Sequence, residues 1–328
     1  WASSTRRRRN PGPRRLVSRS AAKRSRSSTD GTRFVLTGAS IEARIACPLC
    51  RGRSARSFKK LGYWIRACTA CEHHFVETET ADPRAHAQAT FGDDYFFGGD
   101  GGYEDYLANG AALRAQGRAY GRLLARHRVA GDVLDVGAAA GYILAGLRDE
   151  GWHGSGIEPN ATMAGYARST LGLRVRAGVV ETIDGEERFD AVVMAHVLAS
   201  CIDPVSVLHT VSRVTREGGL LLVESRLRDG LAAWLLGKAW LGYNPPAVLH
   251  WFTAESVAHT AGRCGYQLVA HGRPRKRIAG SRAKTARALA EATSGAQRAL
   301  APLMSAMPDT AKLPFPAGDL AWMLFRKA

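Results

Sequence analysis

Two carboxylates and a turn of small residues are spaced so that they could hold a ligand together. Asp135-Val136-Gly137-Ala138-Ala139-Ala140-Gly141 reads as a strand end, a turn and the start of a helix. Glu158 ends the next apolar run, 23 residues after Asp135. A glycine turn with an acid about 20 residues on is the layout of a nucleotide crevice in a doubly wound sheet. There the acid accepts hydrogen bonds from both ribose hydroxyls.

The turn itself selects among nucleotides. A dinucleotide needs G-x-G-x-x-G, because its pyrophosphate lies against the backbone. Here the second glycine position is Ala139 and the third is Tyr142, whose ring would block close helix–strand packing. S-adenosylmethionine has no phosphate and asks only for small residues, which Gly137, Ala139 and Gly141 supply. Asp135 at the strand end suits a cationic amino-acid ligand. A glycine turn in an unrelated α/β protein is the plainer alternative.

A second set of residues has metal-ligand spacing. Cys47-Pro-Leu-Cys50 and Cys68-Thr-Ala-Cys71 are separated by seventeen residues, inside the C-x2-C…C-x2-C window for zinc. Each turn presents two thiolates, and a hairpin between them would bring the pairs onto one tetrahedral ion. Four thiolates close the site, so the zinc is expected to be structural. His73 and His74 are expected on the surface, since four cysteines already suffice.

The elements that must position these residues follow from hydrophobic spacing. Residues 109–128 read as a helix. Val133–Val136, Gly154–Ile157, Leu173–Val175, Phe189–Met194 and Leu220–Val223 read as short buried strands. Helices are expected after Gly141, over Ala161–Leu171 and over Pro204–Thr215. Strands alternating with helices imply a parallel sheet covered on both faces. A further helix is expected from Thr253, with Thr as N-cap and Ser256 completing only half a capping box. Gln267–Val269 and Leu320–Phe325 are expected as the last strands. The expected organisation is a basic disordered tail over 1–33, a zinc-binding module over 41–80 and a linker with a lid and helix over 82–128. A core over 129–272 follows, and 273–328 supplies a basic helix and the last strand.

Charge gives weak guidance about partners. The chain of 328 residues carries +17, but 1–33 holds +10, 273–328 holds +8 and the middle is −1. A near-neutral body with basic ends makes nucleic acid the less favoured partner. The Arg/Ser-rich start also has the composition of a transit peptide. No apolar run approaches the ~20 residues of a spanning helix, and a soluble cytoplasmic protein is expected. Oligomeric state is not legible.

Taken in order, Val133–Gly141, Gly156-Ile157-Glu158-Pro159-Asn160, Phe189-Asp190-Ala191-Val192-Val193, His196-Val197-Leu198, Asp203-Pro204 and Gly218-Gly219-Leu220-Leu221-Leu222-Val223 resemble class I S-adenosylmethionine-dependent methyltransferases. Within that class they are similar to the ubiquinone-type O-methyltransferases, here behind a zinc-ribbon-like module. The resemblance implies an α/β, Rossmann-like seven-stranded sheet with its last strand antiparallel. It also implies Asp135, Gly137 and Gly141 at the methionine end of the cofactor, Glu158 with Pro159 at the ribose, Glu181 near adenine and His196 against the cofactor. One departure stands out. The group's V-L-E-H after the fourth strand is here Val197-Leu198-Ala199-Ser200, so its Glu and His are missing.

The donor is already activated, so the chain's work is alignment of the acceptor and removal of a proton where the acceptor is a hydroxyl. His250, in Leu249-His250-Trp251-Phe252-Thr253, matches the family's H-x-W/F segment and is the expected general base. A histidine that pins the loop is the alternative. Tyr95, Tyr103 and Tyr106 are lid or packing residues. Asn244-Pro245-Pro246 imitates an amine-methylating motif but falls at the wrong strand. The expected activity is methyl transfer, chiefly O-directed, to a small-molecule, lipid or glycan acceptor. An RNA methyltransferase, or an inactive protein that still binds S-adenosylmethionine, are the alternatives.

Overall fold

The computed structural model describes residues 45–98, 102–103, 105–184, 186–274, 302 and 319–328. The expected tail over 1–33 and nearly all of the expected basic helix lie outside these residues. In chain order the elements are β1 (Ser54–Lys60), β2 (Tyr63–Cys68), β3 (His74–Val76), α1 (Pro83–Thr90), α2 (Asp93–Phe96), α3 (Gly110–Ala125) and β4 (Asp132–Val136). Then come α4 (Tyr142–Asp149), β5 (His153–Glu158), α5 (Ala161–Leu171), β6 (Arg174–Ala177), β7 (Phe189–Ala195), α6 (Pro204–Val214), β8 (Thr215–Arg226) and α7 (Leu231–Leu236). The chain closes with β9 (His250–Trp251), α8 (Ala254–Arg263), β10 (Tyr266–Gly272) and β11 (Leu320–Lys327).

Among the described residues, seven strands form one sheet in the order β10-β11-β8-β7-β4-β5-β6. The strands from β8 through β7, β4 and β5 to β6 run parallel. β11 runs antiparallel to both its neighbours. The central strands read as continuous apolar runs because both faces are covered. On one face Val133, Ala191, Val193, Leu220, Leu222 and Leu324 pack with α3, α4 and α5. On the other, Leu134, Val136, Val192, Met194, Leu221, Val223 and Phe325 pack with α6, α8 and the cysteine module. The period-2 alternation of strand side chains produces this division.

Helix entries are set by local chemistry. Asn160 caps α5 by accepting from Met163 N at 2.8 Å. Asp203 caps α6 ahead of Pro204. At α8 both halves of the capping box form, because the Ser256 hydroxyl reaches the Thr253 N–H at 2.9 Å. The half-box expectation is corrected by that bond. α3 crosses α4 at Gly117 and Gly146, where an added Cβ on either would collide with the other helix's backbone. Asp190 ties the strand starts, accepting from Asp132 N at 2.9 Å and Arg216 Nη1 at 2.6 Å.

The N-terminal module is not a separate bead. Its sheet has the order β1-β2-β3-β9, and β9 is contributed by the segment after α7, with Phe75 opposite His250. Cys47, Leu49, Cys68 and Phe75 belong to the same apolar cluster as β4, β7 and α6. Asp319, fully buried, accepts from Trp240 Nε1 at 2.8 Å and Arg226 Nη1 at 3.0 Å and so seats the start of β11. No helix of the described residues is long and apolar enough to cross a membrane.

Candidate active site

The carboxyl ends of β4 and β5 place Asp135 and Glu158 side by side. Both are almost completely buried. The turn between β4 and α4 uses positive φ at Gly137 (70°), Ala139 (47°) and Gly141 (82°). At Gly137 a Cβ would also meet Val197 Cγ2 at 2.5 Å, so this position needs glycine for both space and conformation. Glu158 Oε2 accepts from Ala139 N and Oε1 from Asn160 N, each at 2.8 Å. Pro159 stands between Glu158 and Asn160 at the end of β5. The turn and the acid are thereby one unit.

The electrostatics are those of a site prepared for a cation. Burial, and then the neighbouring Glu158 charge, push Asp135 up to about 8. Burial pushes Glu158 up to about 7 against the two N–H donors. Asp135 Oδ2 is buried with no hydrogen-bond partner. An unpaired buried carboxylate oxygen costs free energy unless a ligand answers it. The ammonium and sulfonium of S-adenosylmethionine are charges of the sign that a pair of carboxylates answers. The residues fit that group.

An aromatic cover lies over the turn. Phe96 and Tyr106 pack with Ala139, Ala140 and Met163. Phe91, Tyr95, Phe96, Tyr103 and Tyr106 meet edge to face, with centroids 4.9–5.7 Å apart, a favourable geometry for ring quadrupoles. Asn160 Nδ2 donates to Phe91 O and Asp93 Oδ1, each at 3.0 Å, fastening the cover to β5. The range expected as a linker with a lid and helix holds α1, α2, this aromatic cover and α3.

Other expected residues fall at different distances from this centre. His196, after β7, has φ 63° and borders the turn through Val197. Its Nε2 lies 3.0 Å from Glu224 Oε1. Glu181 sits in a single turn, Val180–Thr182, after β6 and close enough to feel the Asp203 charge, with burial pushing its carboxyl up. His250 does not join them. Its ring is buried, with Nδ1 3.1 Å from His73 Nε2 and Nε2 3.4 Å from Ile202 O. Burial lowers it to about 4. His73 and His74 are also not surface residues: His73 stacks on His250, and His74 Nδ1 lies 2.8 Å from Tyr243 Oη.

The four cysteines converge. Their sulfurs lie within 4.8 Å of one another, with Cys47–Cys71 at 3.7 Å and Cys50–Cys68 at 3.4 Å. A tetrahedral zinc with bonds of about 2.3 Å sets its sulfurs about 3.8 Å apart. Each knuckle continues into a left-handed residue, Arg51 at φ 61° and Glu72 at φ 56°. Backbone N–H groups of Gly52, Ala70 and Cys71 point at Cys50 and Cys68 sulfurs at 3.4–3.5 Å. The donor set fits zinc.

Residues 108–271, half of the chain, match the family model described as a methyltransferase domain. The chain belongs to this methyltransferase family. A curated relative, the ubiquinone biosynthesis O-methyltransferase of Rhodopseudomonas palustris, is 29% identical over 102 residues, 30% of this chain. The match spans 40% of that relative's length. Two solved structures resemble the methyltransferase domain more distantly. One is a Burkholderia thailandensis 1,6-didemethyltoxoflavin N1-methyltransferase with bound S-adenosylhomocysteine. It is 18% identical, with a TM-score of 0.49, covering 83% of this chain and 99% of that one. The other is a Thermotoga maritima S-adenosylmethionine-dependent methyltransferase, 16% identical, with a TM-score of 0.46, covering 68% and 95%.

Glu224 was not legible as a buried polar residue. It reads in sequence only as the end of the fifth strand, yet it is a 1% exposed carboxylate that accepts from Gln116 and Tyr120 of α3. An acid closing an all-apolar parallel strand was the available signal.

Proposed function

We propose that the chain transfers a methyl group from S-adenosylmethionine to a hydroxyl on a small-molecule, lipid or glycan acceptor. The observation that carries the cofactor half is the unpartnered buried oxygen of Asp135 beside Glu158, under the aromatic cover. When bound, the cofactor supplies an electrophilic methyl on a cationic sulfur. Asp135 would face the cationic methionine end, and Glu158 with Pro159 the ribose. Gly137, Ala139 and Gly141 would give the backbone room, and Glu181 would border the adenine. The acceptor half rests on the O-methyltransferase relative and on the near-neutral body of the chain.

We assign His250 to docking and not to proton removal. A base must reach the acceptor, and this ring is enclosed between His73, Phe252 and the Ile202 carbonyl. We further infer that Cys47, Cys50, Cys68 and Cys71 hold one structural zinc, since four thiolates leave no open position.

The test is incubation with methyl-labelled S-adenosylmethionine and parallel acceptors: phenols, sugars, lipids and transfer RNA. Label on a hydroxyl of a small molecule, lipid or glycan is the expected result. Label on RNA alone would replace this reading with the RNA one.

A further inference from the structure

A helix lying on a protein surface normally turns charged or polar side chains to water. α7 does not. Its sequence, Leu231-Ala232-Ala233-Trp234-Leu235-Leu236, holds no polar side chain. Ala232, Ala233 and Leu236 are buried and belong to one apolar cluster with Phe58, Ile65 and Trp251 of the cysteine module's sheet. Leu231 and Trp234, three positions apart on the other side of the helix, are 57% and 77% exposed. Residues at that spacing share a helix face. Holding an indole and an isobutyl group in water is unfavourable, and a contiguous apolar surface of this kind marks a place where something binds.

The patch continues beyond the helix. Leu241, just after it, is exposed as well. The turn joining β1 to β2 carries Leu61, 62% exposed. Lys60 Nζ donates to Lys238 O at 3.3 Å, which fastens that turn beside the segment after α7. Two exposed lysines edge these side chains. Lys59 Nζ lies 5.0 Å from the Trp64 ring centroid, and Lys238 Nζ lies 5.6 Å from that of Phe58. Both ammonium groups are thus held over rings at the rim of an apolar surface.

Exposed Trp and Leu edged by Lys match the chemistry of a bilayer's interface. Indole and aliphatic groups settle at the acyl boundary, and ammonium groups meet anionic headgroups. Charge selects this cover over the others. The chain's own ends, 1–33 at +10 and 273–328 at +8, carry the same sign as the rim. A second copy docked by the same face would set Lys59 and Lys238 against their own equivalents, because a two-fold interface is self-complementary. An anionic lipid surface attracts the rim and both ends together. We propose that α7 and the β1–β2 turn form a docking surface for an anionic bilayer, with Trp234 entering the headgroup layer and Lys59 and Lys238 meeting lipid phosphates. The surface is independent of the methyl acceptor's identity.

The test uses the full chain with vesicles of phosphatidylcholine, alone or mixed with an equal part of phosphatidylglycerol. Co-sedimentation should be saturable with the anionic vesicles and weak with phosphatidylcholine alone. The basic ends also attract anionic lipid, so variants are needed to separate this surface from them. Leu231→Ser combined with Trp234→Ser should lower affinity for the anionic vesicles by about tenfold or more, because two apolar side chains no longer enter the interface. Lys238→Glu should lower it by about fivefold or more. Both variants should melt as the unaltered protein does, since these side chains stand outside the core. Independently, bromine-labelled acyl chains should quench the tryptophan fluorescence of the anionic-vesicle complex, and Trp234→Phe should remove most of that quenching. Equal vesicle affinity in the double serine variant would assign the attraction to the ends alone and overturn the proposal. Quenching unchanged in Trp234→Phe, or no binding to anionic vesicles, would overturn it too. Self-association that disappears in the double serine variant, without vesicle binding, would give this face to a second copy instead.

Discussion

At the scale of single residues, Asp135 shows what a prepared site costs. Its folded value of about 8, against an ordinary 3.8, means that the unfolded chain gives up this proton first. The ligand-free protein should therefore lose stability as pH rises from about 4 to 8, with Glu158 adding in the same direction. Asp135→Asn stays neutral throughout. It should flatten much of that slope, raise the Tm of the ligand-free protein at pH 8 and weaken S-adenosylmethionine binding. Thermal melts across this range, with and without cofactor, check both halves. A variant that melts lower at pH 8 would contradict the account of a strained, unpaired charge. His250 makes the opposite case. His250→Ala should cost about 1–3 kcal/mol of stability, by leaving buried partners unsatisfied, while S-adenosylmethionine affinity stays near normal. Unchanged stability with collapsed turnover would return His250 to the chemistry.

At the scale of elements, most of the sheet was readable, and the reasons are physical. β4, β7 and β8 are apolar runs between turns, and α5 begins at Asn160 and stops at Gly172, which adopts φ 59°. The turn and Glu158 were readable because a backbone crevice constrains residue size at fixed spacing. What was not readable depends on distant pairing. β9 is two residues long and exists only because β3 lies beside it, so His250 looked like a loop base when it is a strand residue in a buried seam. Glu224 was missed for the same reason: its partners, Gln116 and Tyr120, come from α3, more than a hundred residues earlier. At α8, Thr253→Ala should cost about 1 kcal/mol, the usual value of an N-cap, read from denaturant midpoints. A negligible change would mean that packing, not the cap, fixes the start of α8.

At the scale of the whole molecule, the cysteine module and the methyltransferase sheet share a core. Arg263 Nη1 donates to Leu49 O and Arg228 Nη2 to Glu72 O, each at 2.7 Å, binding both knuckles to the sheet domain. An independent module would unfold alone on losing its metal. Here, removal of zinc by a chelator, or Cys68→Ser, should lower the melting temperature of the sheet domain as well. Metal analysis should give about one zinc per chain, as one set of four thiolates requires. A sheet domain that melts unchanged after zinc loss would contradict the shared core.

The central claim is that the crevice between β4 and β5 holds S-adenosylmethionine. Titration calorimetry on the full chain tests it most directly, with S-adenosylmethionine, S-adenosylhomocysteine and NAD as titrants and Glu158→Ala as the paired variant. The account predicts saturable binding of the first two and none of NAD. It also predicts a loss of about 1.5–3 kcal/mol in Glu158→Ala, the scale of hydrogen bonds to a charged group. Binding of NAD in place of S-adenosylmethionine, or full affinity in Glu158→Ala, would contradict it.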